Sequence, residues 1–220
     1  MSDSTLIDLS HTVEDGMITY KGLPAPIICD YLSREASRAR YAPGTEFQIG
    51  KIEMVANTGT YLDCPFHRYP TGADLSQLKL EALADLDCVV VRATERRDRA
   101  IDGLPVDLAT LKGKALLVHT GWDAHWRTDQ YFESHPHLTG ALAEQLVEAR
   151  VTLVGIDSFN IDSTEDGTRP VHSALLGAGI LIVEHMCNLA AVPERGARFF
   201  AVPVKVKGMG TFPIRAFAKL

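Results

Sequence analysis

The chain has 220 residues, 46% of them hydrophobic and 23% charged, with a formal net charge of −6. That length suffices for a core of its own, and the balance is that of a globular protein rather than a disordered or fibrous one. The acidic excess excludes a general attraction to nucleic acid or to an anionic membrane surface. The opening MSDSTLIDLS has neither a basic stretch nor a long apolar run, so no secretory leader is expected, and no apolar stretch reaches spanning length. Cys29, Cys64, Cys88 and Cys187 form no C-x-x-C pair and are expected as free thiols, which suits a cytoplasmic setting.

In chain order, LIDLS at Leu6 to Ser10 reads as a short strand. Gly22 to Gly44, with Pro24, Pro26 and Pro43, reads as a long loop with one strand near Ile27 to Tyr31; a loop of that length is expected to be a lid or a partner contact. Phe47 to Ala56 alternates apolar and polar residues and predicts a half-buried strand. Further strands are predicted at Cys88 to Ala93, Ala115 to His119, Thr152 to Ile156, Ile180 to Val183, Phe199 to Lys205 and near Pro213 to Phe217. A helix is predicted from Thr139, its cap, to Arg150, because Leu142, Leu146 and Val147 share a face. A shorter one is predicted from Pro170, suited to a first turn, to Leu176, with Gly177 as exit. No internal repeat or linker divides the chain, so one α/β domain with a mainly β core is expected across residues 1–220.

Asn57 to His67, NTGTYLDCPFH, carries the densest set of chemical groups. Gly59 can end the preceding strand, Pro65 opposes a helix, and Asp63 and His67 are therefore expected on an irregular loop at a strand end. Glu184 directly follows the apolar run ILIV, so its carboxylate needs a partner: a metal, a proton, or a cation such as Arg215. Cys64 has no adjacent cation to activate it and reads as a packed residue. His119, His125, His135 and His137 match no ligand spacing and read as surface or rim residues, and Trp122, Trp126, Tyr131 and Phe132 as core.

The segment resembles the H-x-G-T-H-x-D-x-P-x-H signature of the cyclase family, which includes bacterial kynurenine formamidase and isatin hydrolase. DLSH at Asp8 to His11, HTGWDAHW at His119 to Trp126, YFESHPHL at Tyr131 to Leu138, GIDSFNID at Gly155 to Asp162, PVHSALLGAGILIVEHMCNL at Pro170 to Leu189 and GTFPIRAFA at Gly210 to Ala218 extend the likeness over nearly the whole chain. The resemblance implies the swivelling β/β/α fold, a homodimer or homotetramer, and a small-molecule substrate. It implies Asp63, His172 and Glu184 as metal ligands, His67 as acid–base residue, and Tyr20 near the substrate. Both signature histidines are replaced, by Asn57 and Tyr61, which are expected to face the substrate instead.

Three ligands of this kind suit one divalent ion, zinc, manganese or magnesium, and leave positions open for water. The expected reaction is hydrolysis of a C–N bond in a small aryl or cyclic amide, with His67 moving protons. Two alternatives stand beside it. In one, Tyr61 fills the vacated space, no metal binds, and Asp63, Glu184 and His67 run a cyclisation or dehydration, with Asp63 and Glu184 facing each other and one holding a proton. In the other, the chain is a catalytically silent relative that binds a small ligand.

Overall fold

The computed structural model describes residues 5–220; the opening residues of the leader expectation, Met1 to Ser4, lie outside them. Among the described residues there are thirteen strands: β1 (Leu6–Asp8), β2 (Ile27–Leu32), β3 (Ile49–Glu53), β4 (Tyr61–Asp63), β5 (Leu86–Arg92), β6 (Ala100–Ile101), β7 (Ala115–His119), β8 (His137–Leu138), β9 (Leu153–Ile156), β10 (Leu181–Glu184), β11 (Arg198–Phe200), β12 (Thr211–Pro213) and β13 (Phe217–Lys219). The helices are α1 (Arg34–Ser37), α2 (Gly140–Glu148) and α3 (Pro170–Gly177).

Nine strands form one sheet in the order β1-β13-β11-β5-β7-β9-β10-β4-β12. Its centre, β5-β7-β9-β10, is parallel. These strands read as nearly unbroken apolar runs, CVVV, ALLV, LVGI and LIV, because both faces are covered. Alternate residues go to opposite faces. Val90, Leu117 and Val183 enter one apolar cluster, and Val89, Val91, Leu116, Val118 and Ile182 enter the other. Helices α2 and α3 cover the second face with Leu142, Leu146, Val171 and Leu175. Thr139 caps α2, its hydroxyl accepting from the Leu142 N–H at 3.2 Å. The expected α/β architecture with a mainly β core is present.

Three expectations need correction. Phe47 to Ala56 is not half-buried: only Ile49–Glu53 is strand, all of it exposed, and it pairs with β2 in a separate two-stranded ribbon. Periodicity in sequence could not distinguish a face turned to the core from one turned outward. The loop from Gly22 to Gly44 accordingly holds a strand of the ribbon and the short α1. Phe199 to Lys205 is strand only through Phe200; beyond it Val202 and Val204 are exposed and outside any ladder. From Pro213 to Phe217 only the two ends are strand, Pro213 closing β12 and Phe217 opening β13, with Ile214 to Ala216 as the link.

Candidate active site

The segment Tyr61 to Asp63 is not loop but a buried strand, lying between β10 and β12. It is too short for a periodic signal, and its polar ends mask it in the sequence. The pairing register arranges the chemistry. Glu184 on β10 lies opposite Tyr61, and Thr211 on β12 lies opposite Asp63. Directly opposed residues share a face, so Leu62 enters the core on one side while Tyr61, Asp63, Glu184 and Thr211 gather on the other.

Pro65 does not prevent a helical turn; it opens one, Pro65–His67, since proline is tolerated at a first helical position. That turn carries His67 back over Asp63. The backbone of Gly210 runs against it so closely that a Cβ there would overlap the His67 backbone nitrogen. The Thr211 hydroxyl then joins the two groups: it is hydrogen-bonded to Asp63 Oδ1 and lies 2.8 Å from His67 Nδ1. An ionised carboxylate only accepts, so the single hydroxyl proton goes to Asp63 and the oxygen accepts from Nδ1–H of His67. In the neutral ring this contact leaves Nε2 as the unprotonated nitrogen, on a side chain that lines the cavity.

His172 stands in the first turn of α3, as the sequence placed it. Its orientation comes from Asp162, a residue the sequence reading did not single out. Asp162 accepts from the backbone N–H groups of Val171 and His172 at 2.7 and 2.9 Å and from His172 Nδ1 at 2.6 Å. It therefore caps the helix and holds the ring. Nε2 of His172 is left 3.7 Å from Asp63 Oδ2 and 3.9 Å from Glu184 Oε1. Against burial, which favours the neutral ring, Asp162 and Asp63 raise the His172 pKa to about 10. Burial pushes Glu184 up to about 7, with the Asp63 charge adding to it. Burial also opposes the ionised form of Asp63, but His172 and His67 hold that carboxyl below its ordinary value. The His172 imidazole stands near both carboxyls, within 3.7 Å of Asp63 and 3.9 Å of Glu184.

Tyr61 is fully buried, and its hydroxyl donates to Glu184 Oε2 at 2.6 Å. Glu184 Oε1 accepts from the Ile161 N–H at 2.5 Å. Arg215 is elsewhere, paired with Asp8 at 2.7 Å. Asp63, His67 and His172 each offer a ligand atom, all within 4.8 Å of one another, which makes them the potential metal cluster among the described residues. Glu184, an expected ligand, is outside that cluster. These groups open onto a cavity of about 280 Å³ lined also by Tyr20, Asn57, Asn160, Arg68 and Arg169. All three residues expected to face a substrate, Tyr20, Asn57 and Tyr61, line it. Tyr20 packs on Phe159 with ring centroids 4.6 Å apart.

Behind Tyr61 lies a second polar group. His185, buried, has its ring 5.1 Å from that of Tyr61, and neither of its nitrogens has a partner; His11 Nε2 and the Tyr131 hydroxyl are buried and unpartnered as well. Burial lowers the pKa of His185 to about 3 and of His11 to about 4. His135, expected at the surface or rim, is buried in this region against Phe159, because the aromatic residues around it enclose it. The Cys64 thiol is buried, which pushes its pKa up to about 11 and leaves it unreactive, as expected of a packed residue. Among the described residues no helix is long and apolar enough to cross a membrane.

The model of a family described as Putative cyclase matches residues 7–163. The chain is similar to kynurenine formamidase of Bacillus thuringiensis subsp. konkukian, 27% identical over 224 residues, covering 100% of this chain and 99% of that one. Its fold is similar to that of isatin hydrolase A from Labrenzia aggregata bound to benzyl benzoate (TM-score 0.79, 21% identity, 99% and 94% of the two chains). It is also similar to that of a predicted metal-dependent hydrolase from Bacillus stearothermophilus (TM-score 0.70, 23% identity, 99% of each chain).

Proposed function

The chain belongs to this cyclase family, and on that premise we propose that it is an enzyme that hydrolyses a C–N bond in a small aryl or cyclic amide. The observation that carries the reading is the chain Asp63–Thr211–His67 beside His172 at the wall of the cavity. It presents a ring nitrogen ready to accept a proton and a fixed carboxylate to hold the ring. The relatives' names, kynurenine formamidase and isatin hydrolase, support an amide-hydrolysing chemistry.

In the reaction, His67 Nε2 takes a proton from the water that adds to the amide carbonyl. The resulting imidazolium is stabilised through Thr211 by the Asp63 carboxylate. The tetrahedral adduct then breaks its C–N bond, and His67 returns the proton to the departing nitrogen. The products are a carboxylate and an amine. Asn57 and Asn160 offer amide groups to the cavity and orient the substrate.

The residues fit one divalent ion. Asp63 Oδ2 is a buried carboxylate oxygen with no partner, and Asp162 occupies Nδ1 of His172, leaving Nε2 directed toward it. A ligating histidine ordinarily holds a carboxylate at its other nitrogen in this way. Asp63 and His172 would hold such an ion, while Glu184 keeps both oxygens engaged by Tyr61 and Ile161. When bound, it polarises the carbonyl and increases the acidity of water.

The test is turnover of panels of aryl formamides, isatin-like lactams and small lactones by protein supplied with zinc, manganese or magnesium, and by chelated protein. Hydrolysis of a formamide or lactam is expected. Absence of turnover on both amide panels under every metal condition overturns the reading.

A further inference from the structure

Two guanidiniums line the cavity, those of Arg68 and Arg169. Arg38, Arg96, Arg127, Arg198 and Arg215 each pair with a carboxylate. Arg68 and Arg169 form no ion pair among the described residues. Asp166 is near enough for the Arg169 charge to lower its pKa, but in a chain with a net charge of −6 two guanidiniums outside any ion pair at one cavity wall are a feature to be explained. The acids nearest the cavity floor are already engaged: Asp162 and Asp63 with His172 and Thr211, and Glu184 with Tyr61 and Ile161.

Both arginines are held in place by neutral partners. Arg169 Nη1 donates to the Ser163 carbonyl at 3.0 Å, and Arg68 Nε donates to Ser173 Oγ at 3.3 Å. Arg169 also occupies a left-handed backbone conformation, φ 50 and ψ 60, which side-chain-bearing residues rarely adopt. Each guanidinium keeps further N–H donors unassigned. Such a planar fork matches a carboxylate, and a pair of them matches it better than a single ammonium does. Tyr20 and Leu23 supply apolar surface in the same cavity.

We propose that the substrate carries a carboxylate, bound by Arg68 and Arg169, which sets its aryl ring between Tyr20 and Leu23 with the scissile amide toward His67. This rests on the amide-hydrolase reading for the amide, but the anion site itself does not. The charge distribution supports the direction: an anion is repelled by the acidic floor and attracted to the arginine wall, so the charged end and the reacting end of the substrate are sorted before chemistry.

The probes are 2-, 3- and 4-aminobenzoate against aniline, an aromatic amine with and without the anion, titrated calorimetrically into the full chain. At least one aminobenzoate should bind roughly tenfold or more tightly than aniline, the scale of charge-assisted hydrogen bonds. Arg169→Gln and Arg68→Gln should each weaken that binding by about tenfold, leave any binding of aniline unchanged, and reduce its dependence on salt. Equal affinity for all four probes, no binding of any aminobenzoate at millimolar concentration, or unchanged affinity in both folded variants overturns the proposal. The comparison of probes on the unaltered chain decides the matter even where a variant fails to fold. Carboxylate-selective binding without turnover of any amide removes the hydrolase reading and keeps this one; turnover with no preference for the anion does the reverse.

Discussion

The Tyr61 hydroxyl and the Glu184 carboxylate share a 2.6 Å hydrogen bond inside the sheet, with both side chains buried. The phenol stands at the position of one signature histidine. Burial raises its pKa well above the ordinary value, with Glu184 and Asp63 adding to the effect, so it stays a neutral donor and not an anionic ligand. Glu184 has both oxygens engaged, one by Tyr61 and one by Ile161.

That pair limits the metal content. We expect no more than one divalent ion per chain, on Asp63 and His172, and no tightly held binuclear zinc. Elemental analysis after purification without added metal and exhaustive dialysis checks this; two equivalents of zinc retained would refute it. Tyr61→His returns one imidazole and should increase the metal bound per chain.

His67 should matter to rate and little to folding, since it is exposed and contributes little to the core. His67→Ala is expected to lose on the order of 10²–10⁴-fold in kcat with its melting temperature nearly unchanged. His67→Gln should be nearly as poor. Wild-type turnover by His67→Ala across the pH range would mean that the protons move elsewhere. Thr211→Val should cost stability as well, about 1–3 kcal/mol, because it strips a buried carboxylate of its donor.

The β2–β3 ribbon presents Ile27, Ile28, Tyr31, Ile49 and Ile52 to solvent. A two-stranded ribbon is marginal by itself, and this one lies outside the main sheet. We expect a second copy of the chain to cover it, as a dimer or tetramer. Light scattering at micromolar concentration should give a multiple of the chain mass. Ile28→Lys together with Ile52→Lys should shift it toward the monomer; a monomeric unaltered chain removes the expectation.

His185 should make the protein acid-sensitive in a way that can be isolated. Its ordinary pKa is 6.5 and burial lowers it to about 3 in the fold. A lowered histidine contributes its full share of stability above pH 6.5 and loses it as pH falls toward 3. His185→Phe lacks the group, so its stability relative to the unaltered protein should improve by roughly 2 kcal/mol between pH 7.5 and 5, at about 1.4 kcal/mol per pKa unit. Urea midpoints at the two pH values measure this. A difference between the two proteins that does not change with pH would show that His185 finds a partner.

What could be read in advance follows from range along the chain. The apolar runs of the central strands, the cap at Thr139 and the proline opening α3 are local signals, and they place those elements within a residue or two. His172 and Glu184 could be placed because each ends or begins such an element. Thr211 and Asp162 could not, because their significance lies in register: Thr211 acts through the residue opposite it on β4, and Asp162 through the turn that folds it under α3. The arginines were silent for a related reason. A cation counts as unpaired only when its neighbours in space are known. The ribbon misled because alternation shows that one face is apolar and does not say what that face meets.

The place of β4 in the sheet has a consequence for biosynthesis. This strand, made early, is flanked by β10 and β12, and the hydroxyl that ties Asp63 to His67 comes 148 residues after Asp63. Loops of such span close slowly, because their entropy is lost before the contact rewards it. While the chain is still emerging from the ribosome, Tyr61 to Asp63 has neither of its partners, and the parallel centre of the sheet can form without it. The reactive centre therefore cannot be complete until the final strands close over β4, and a nascent chain interrupted before Thr211 lacks the hydroxyl that joins Asp63 to His67.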